Sequence, residues 1–484
     1  MTQRLTSLIK RHVGVDPEIT GVTADSRKVK PGYLFAALPG SRADGATFAA
    51  KAVEAGAAAV LADQDLNLAV PTIVCRDPRR GYALAAANFW GRQPQTCVAV
   101  TGTNGKTSVA TFCRQMFAHA GHVSASMGTL GVTVSRPGGV TDQITPPGLT
   151  TPDAGDVAEL LMRITQLGVT HFAMEASSHG IDQRRLDGVR LTASGFLNLT
   201  QDHLDYHGTM EGYRSAKLRL FEQLMPRGAT AVLNADAEAF PFFAAASVVS
   251  GQRVMSVGET GQALKLMART PLPDGQRLSI RAEGRMYDVH LPLVGAFQAS
   301  NALIAVGLCR AAGLSYDETF AALENIDGAP GRLQRVGASA RGGEAYVDYA
   351  HTPDGLETVL RALRPHTRGK LIVVFGAGGD RDRTKRPLMG AIASTLADVA
   401  IVTDDNPRSE VPAAIRAEVL AGGAGMSEIG DRREAIQAAV ARMQDGDILV
   451  VAGKGHEQGQ TVGNVVHPFD DVAETARALE LVHG

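Results

Sequence analysis

The sequence predicts an α/β protein built on parallel sheets, and three observations carry that reading. Strand-like apolar runs alternate with helical patterns along nearly the whole chain. The 53 glycines suit a chain with many tight βα turns. Polar, glycine-rich loops fall directly after the strands, at the edge where open parallel sheets bind ligands. At 484 residues, and about 150 per domain, roughly two to four domains are expected.

The elements divide into three regions. Residues 1–88 form a small lead region, with expected strands at Phe35–Leu38 and Ala57–Leu61. Residues 89–330 open on the strand Val98–Val100. Further strands are expected at Phe172–Met174, Phe196–Leu199 and Ala231–Leu233, and a helix at Gln298–Ala312. Glycine and proline punctuate the chain at Gly328-Ala329-Pro330-Gly331. Residues 331–484 hold three strand–loop units: Leu371–Phe375 before GAGGDRD, Val399–Val402 before TDDNPR, and Ile448–Val451 before AGKGHE.

Composition removes several function classes. A net charge of -2 implies no nucleic-acid partner. Cys75, Cys97, Cys113 and Cys309 are scattered without a CxxC pair, which fits neither a zinc site nor a disulfide framework and suggests a reducing compartment. The N-terminus lacks the apolar core of a signal peptide, and no apolar run approaches the ~18 residues of a spanning helix. A cytoplasmic protein, working as a monomer, is expected.

The segment Val98–Thr107, VAVTGTNGKT, has the anatomy of a phosphate cradle. A buried strand ends in a tight loop (Gly102, Thr103, Asn104, Gly105), and Lys106-Thr107 opens a helix. Two glycines let backbone amides close on an anion, and the helix N-terminus adds partial positive charge. Lys106 would reach the terminal phosphates of ATP, and Thr107 would hold Mg²⁺ through its hydroxyl. The general pattern places a glycine where Val100 stands, so this is a compact variant; the alternative is an ordinary strand–turn–helix junction. Glu175, after HFAM, and His203, after GFLNLTQD, are each expected at a strand's end facing that loop. Mg²⁺ prefers oxygen ligands. That suits Thr107 and Glu175, whereas a lone histidine is by default a surface or hydrogen-bonded residue. Lys217 on its own reads as a helix-surface lysine paired with Glu222 or solvent.

Further motifs stand in order: DSR at Asp25–Arg27, LTTPD at Leu149–Asp153, MEASSHG at Met174–Gly180 and NLTQDHLDYHGTMEGYRSAK at Asn198–Lys217. GRLQ at Gly331–Gln334, DYAHTPD at Asp348–Asp354, DNPR at Asp405–Arg408 and GKGHE at Gly453–Glu457 follow. Together with TGTNGKT they resemble the Mur ligases of peptidoglycan synthesis over the whole chain. The resemblance implies three α/β domains: a small N-terminal UDP-binding domain, a central P-loop ATPase-like domain with a parallel or mixed sheet, and a C-terminal Rossmann-like domain. It is nearest to members that add meso-diaminopimelate to UDP-N-acetylmuramoyl-L-alanyl-D-glutamate at the expense of ATP, through an acyl phosphate.

The resemblance also implies roles residue by residue. Thr107, Glu175, His203 and Lys217 would serve two Mg²⁺ ions, Lys217 as a carbamate formed with CO₂. Asn301 would meet the adenine, and Arg332, Asp348 and His351 would complete the nucleotide site on domain closure. A hinge salt bridge is the other reading of Arg332. Ser26 would hold the uridine diphosphate, and Thr150, Thr151, Ser177, Gln183 and Arg185 the muramoyl peptide. The segment Arg42-Ala43-Asp44-Gly45-Ala46 departs from the family's DGH at Ala46, and nothing is carried onto it. Arg381, Asp405, Asn406, Arg408, Gly453 and Glu457 would form the amino-acid pocket, in which Arg408 pairs the distal carboxylate of diaminopimelate and Glu457 its ammonium. Competing readings are a lysine-adding ligase, a folylpolyglutamate-synthetase-like ligase and a non-catalytic nucleotide-binding scaffold.

Overall fold

The computed structural model describes residues 2–40, 44–145, 148, 150–272 and 274–483. The chain divides into two compact units, one comprising 1–265 and 303–319, the other 266–302 and 320–484.

The first unit holds two larger sheets besides a two-stranded antiparallel pair of Gln3–Arg4 with Glu18–Ile19. In the lead region β1 (Gly21–Thr23), β2 (Tyr33–Ala36), β3 (Ala59–Ala62) and β4 (Thr72–Val74) run parallel in the order β1-β2-β3-β4. Two strands differ from expectation by two residues or fewer at each end. The residues Ala37 and Leu38 turn away after β2, where Gly45 N donates to Leu38 O (3.0 Å). The helix Pro78–Trp90 starts with proline at a position that needs no N–H, and Asp77 caps it by accepting from Arg80 N.

The larger sheet contains β5 (Thr96–Thr101), β6 (Ser124–Gly128), β7 (Gly131–Ser135), β8 (Thr141–Thr145), β9 (His171–Glu175), β10 (Ala193–Phe196), β11 (Thr230–Asn234) and β12 (Arg253–Gly258). Their order is β8-β7-β6-β9-β5-β10-β11-β12. The neighbours β6-β9-β5-β10-β11-β12 pair in parallel, whereas β7 pairs antiparallel with β6 and β8 antiparallel with β7. The sheet is therefore mixed: only two residues separate β6 from β7, too few for a parallel crossover. The central strands are buried throughout, as expected of a sheet covered on both faces. β9 packs beside β5 with Glu175 opposite Val100. That register sets a carboxylate next to the phosphate-loop strand just before its loop.

His171 opens β9. Its ring stacks on His122 (centroids 3.9 Å apart) and packs against Phe117. Burial, and then the His122 charge, pull it from its ordinary 6.5 down to about 4. A base depressed by folding binds its proton more readily when unfolded, so stability is whole above pH 6.5 and is lost as pH falls toward 4. Chemical denaturation should lose on the order of 2 kcal/mol between pH 7.5 and 5 through this group, and His171→Phe should flatten that slope. An unchanged pH slope in the variant would remove His171 as the cause.

The second unit begins within β13 (Leu264–Leu272) and continues through the antiparallel hairpin of β14 (Gly275–Ala282) and β15 (Arg285–Leu291). Its main sheet comprises β16 (Gln334–Ala338), β17 (Glu344–Asp348), β18 (Leu371–Phe375), β19 (Val399–Val402), β20 (Ser427–Glu428) and β21 (Ile448–Ala452). The order is β16-β17-β21-β18-β19-β20, parallel except for β16. The three expected strand–loop units thus stand side by side on β21, β18 and β19. Two apolar clusters sandwich this sheet, one around Val373, Phe375 and Leu360, the other around Val347, Ile372 and Ile436. Among the described residues no helix is long and apolar enough to cross a membrane, and all four cysteines are free.

Candidate active site

The phosphate loop follows β5 as expected. Gly105 takes φ 87°, open to glycine, and leads into the helix Lys106–His119, whose start carries no side-chain cap. Lys106 Nζ folds back to Gly102 O (2.9 Å) and Thr103 O (2.8 Å). Thr107 Oγ1 donates to Glu175 Oε1 (3.0 Å), and Thr129 N donates to the same oxygen (2.9 Å). Gly128 permits this arrangement, since a Cβ there would meet Glu175 Oε1 at 1.8 Å. A hydroxyl and a carboxylate form an all-oxygen pair suited to Mg²⁺. Among the described residues no group of three His, Cys, Asp or Glu side chains is arranged to hold a metal ion, so a cation on this pair would need further ligands.

The segment Leu197–Leu199 was expected to continue β10. It instead leaves the sheet to wrap the loop: Asn198 Oδ1 accepts from Thr103 N (3.1 Å) and Asn104 N (2.9 Å), and Thr200 N donates to Thr103 Oγ1 (3.0 Å). Asn198 is a loop-shaping residue that the apolar spacing of the segment disguised as strand. The early strand end also corrects His203, which lies seven residues past β10, with φ 52° at the start of a one-turn helix. Its half-exposed ring sits edge-on to His179 (4.8 Å) and 6.1 Å from the Tyr213 ring. Tyr213 in turn reaches Thr103 Oγ1 (3.3 Å), so one aromatic ring links His203 to the loop.

Lys217 is not a surface lysine. Its side chain is 1% exposed on the helix Met210–Arg219, and its Nζ donates to Gly102 O (2.9 Å) over the Tyr213 ring (4.4 Å). Burial, and then the Lys106 charge, push its ammonium well below the ordinary lysine range.

The residues matched to the muramoyl peptide form one network. Thr151 Oγ1 donates to Glu175 O (3.2 Å) and meets Ser177 Oγ (3.0 Å). Arg185 donates to Thr151 O (2.6 Å) and Gln183 Oε1 (2.7 Å), and Thr150 Oγ1 lies 3.0 Å from Thr129 Oγ1. Ser26 follows β1 on the lead sheet, where Arg27 holds the Asp25 carboxyl at about 2. Beside that carboxyl edge lies a cavity of about 630 Å³ lined by Arg76, Arg79, Arg80 and Arg184, with Asp77 and Asp182. Arg42, Ala43 and Leu149 lie outside the described residues.

In the second unit, Arg332 stacks on Tyr349 (4.8 Å), and its buried Nε has no hydrogen-bond partner. The hinge salt bridge is therefore absent among the described residues, and an unpaired guanidinium N–H suits an anion. Asp348 accepts from Leu333 N (2.7 Å) and Ala350 N (2.8 Å), which fixes the residue after Arg332 in its left-handed turn (φ 43°). Burial pushes the Asp348 carboxyl up. His351 Nδ1 lies 2.7 Å from Tyr349 O, and buried Asn301 donates to Gln298 Oε1 (2.9 Å).

The amino-acid residues gather at the carboxyl ends of β18, β19 and β21. Arg408 Nη1 donates to Gly379 O (2.7 Å), and Asn406 Nδ2 donates to Glu457 Oε2 (3.0 Å). Gly453 (φ 126°) lies against Asp405, whose Oδ2 would be 2.5 Å from a Cβ. Arg381 is exposed beside them. Two buried cations went unassigned in the sequence. Arg432 pairs with Asp471 through two 2.7 Å bonds and donates to Ala452 O (3.0 Å) and Asp404 O (3.3 Å), so it ties together the starts of both loops. Lys454 lies within GKGHE itself.

A small lead sheet, a P-loop sheet and a Rossmann-like sheet, each with ligand-type residues at its carboxyl edge, describe an ATP-dependent ligase fold. Residues 18–87 match the profile described as Mur ligase family, catalytic domain; residues 100–309 match the Mur ligase middle domain, and residues 331–455 match the Mur ligase, glutamate ligase domain. The chain belongs to the Mur ligase family. It is 68% identical over 482 residues, 99% of each chain, to the UDP-N-acetylmuramoyl-L-alanyl-D-glutamate--2,6-diaminopimelate ligase of Caulobacter vibrioides. It is 52% identical over 465 residues to the protein of that name from Brucella melitensis biotype 1, covering 96% of this chain and 94% of that one. A solved structure of a ligase of the same name aligns over 100% of both chains with a TM-score of 0.78 at 33% identity.

Proposed function

We propose that this chain joins meso-diaminopimelate to UDP-N-acetylmuramoyl-L-alanyl-D-glutamate with ATP, as a cytoplasmic monomer, with domains at 1–88, 89–330 and 331–484. The observation that carries the reading is the phosphate loop with the Thr107–Glu175 pair on one side and buried Lys217 on the other. The names of the full-length relatives favour it over a folylpolyglutamate-type ligase.

The reaction asks for alignment and charge neutralisation more than covalent work. The substrate carboxylate attacks the γ-phosphorus of ATP, ADP leaves, and an acyl phosphate results. The amine then attacks the acyl carbon, and inorganic phosphate departs from the tetrahedral intermediate. Lys106 and the uncapped helix start oppose charge on the phosphates, while Asn198 holds the loop amides of Thr103 and Asn104 in place. Arg332, on the second unit, offers an unpaired guanidinium N–H suited to a phosphate. Thr107 Oγ1 and Glu175 would hold Mg²⁺, which, when bound, screens the phosphate oxygens. The Thr151–Ser177–Gln183–Arg185 network binds the anionic peptide, and the arginine-lined cavity around Arg76, Arg79, Arg80 and Arg184 suits the charge of the uridine diphosphate end.

Lys217 is read as the site of the carbamate. Its neutral amine adds to CO₂, forming the N–C bond and releasing one proton, and burial favours that neutral form. The test of the whole reading is ADP release with the UDP-muramoyl dipeptide and a panel of amino acids. Release with meso-diaminopimelate supports it, and release only with glutamate on a folate substrate overturns it.

Selectivity follows from Arg408. Diaminopimelate brings a carboxylate to its guanidinium, whereas lysine would strand it, at a cost of about 2–5 kcal/mol. Arg408→Ala should lose most activity with diaminopimelate and gain little with lysine, as read by kcat/KM for both. Equal use of lysine by the wild type would end this part of the argument.

A further inference from the structure

One buried cation at the amino-acid pocket takes no part in the proposed reaction. Lys454 has a fully buried side chain, and its Nζ donates to Asn406 Oδ1 (3.0 Å). Thr461 N donates to the same oxygen (2.9 Å). A carboxamide oxygen has two lone pairs, so these two donors fill it and fix which way the amide faces. Nδ2 is thereby turned to Glu457 Oε2 (3.0 Å). Lys454 Nζ also lies 3.5 Å from that Oε2. Both interactions on Glu457 fall on one oxygen, and among the described residues Oε1 has no hydrogen-bond partner. Glu457 is the member of this trio that reaches solvent, with its side chain 37% exposed.

We infer that Lys454 is a positioning residue for amino-acid recognition: it sets the Asn406 carboxamide as donor and Glu457 as a half-filled acceptor, so that Oε1 awaits the ammonium of the incoming amino acid. Without Lys454 the amide loses the charged donor that holds its orientation. It can then flip and set its oxygen against the Glu457 carboxylate, and Glu457 loses the cation beside it. A purely structural lysine would lower stability and affect all three substrates alike. A positioning lysine acts on the amino acid alone, chiefly through Asn406 and to a smaller extent through its 3.5 Å approach to Glu457 Oε2.

The inference rests on the assignment of this pocket to meso-diaminopimelate, and the experiment separates the two. ADP release by the full-length enzyme is measured for wild type, Lys454→Met, Lys454→Gln, Asn406→Ala and the Asn406→Ala/Lys454→Met double variant. If the wild type does not turn over with diaminopimelate, the assignment itself fails. If it does, Lys454→Met should raise KM for diaminopimelate about tenfold or more, the usual scale of a lost charged hydrogen bond. KM for ATP should stay within about twofold, and Lys454→Gln, which keeps a donor for Oδ1, should recover much of the loss. In the Asn406→Ala background the Lys454→Met effect should largely vanish. Should Lys454→Met not fold, the same cycle on Lys454→Gln, with about a threefold rise expected, decides the matter. An unchanged KM for diaminopimelate, parallel rises for all substrates, or an undiminished effect in the Asn406→Ala background overturns the inference.

Discussion

Replacing Lys106 with alanine should abolish ADP release and leave the protein folded. The Lys106 ammonium sits on the phosphate loop itself, bonded to the carbonyls of Gly102 and Thr103. The loop keeps its shape without it, because Asn198 Oδ1 independently holds the Thr103 and Asn104 amides and Thr200 holds Thr103 Oγ1. Removal therefore costs charge neutralisation in the transition state rather than structure. A single preorganised donor is worth on the order of 10²–10³ in rate, and a full charge on a transferring phosphoryl group should reach at least the upper end. Lys106→Arg should not restore the rate, since a planar fork does not replace a point charge among backbone amides. The measurements are ADP release and thermal unfolding of the same samples. Normal turnover by a folded Lys106→Ala protein would refute the phosphate-loop mechanism.

Much of this site was legible because backbone chemistry leaves a mark in sequence. Gly105 needs a left-handed φ, Gly453 a close approach to Asp405, and the runs before Gly102, Gly376 and Gly453 are buried strands. What was misread was misread for physical reasons. Leu197 and Leu199 have the apolar spacing of strand residues, yet the segment turns out of the sheet because Asn198 has loop amides to satisfy. His203 inherited the error, since its expected place depended on that strand's length. Lys217 has a helical, polar neighbourhood in sequence; only the fold shows that Tyr213 and the phosphate loop close over it. Arg432 and Lys454 could not be assigned from spacing, because their partners stand 39 and 48 residues away.

Lys217 carries the other large expected effect. A protonated lysine buried on Gly102 O and facing Lys106 is electrostatically unfavourable, and removing it should not unfold the protein. Its proposed value lies in chemistry: the neutral amine gains CO₂, and the resulting carbamate turns a cation at the phosphate loop into an anion able to bear on Mg²⁺. Lys217→Ala should then lose activity on the order of 10³-fold, comparable to loss of a preorganised charged group, with unfolding temperature little changed. Short carboxylates such as acetate or propionate should partly restore turnover by supplying the missing anion, as they could not for a merely structural lysine. Carbamylation has its own signature besides activity. Wild-type protein equilibrated with ¹³C-bicarbonate should show a carbamate carbon by NMR that is missing from Lys217→Ala. A wild type without that signal, together with a variant that carboxylates fail to rescue, would leave Lys217 as a buried amine holding Gly102 and no more.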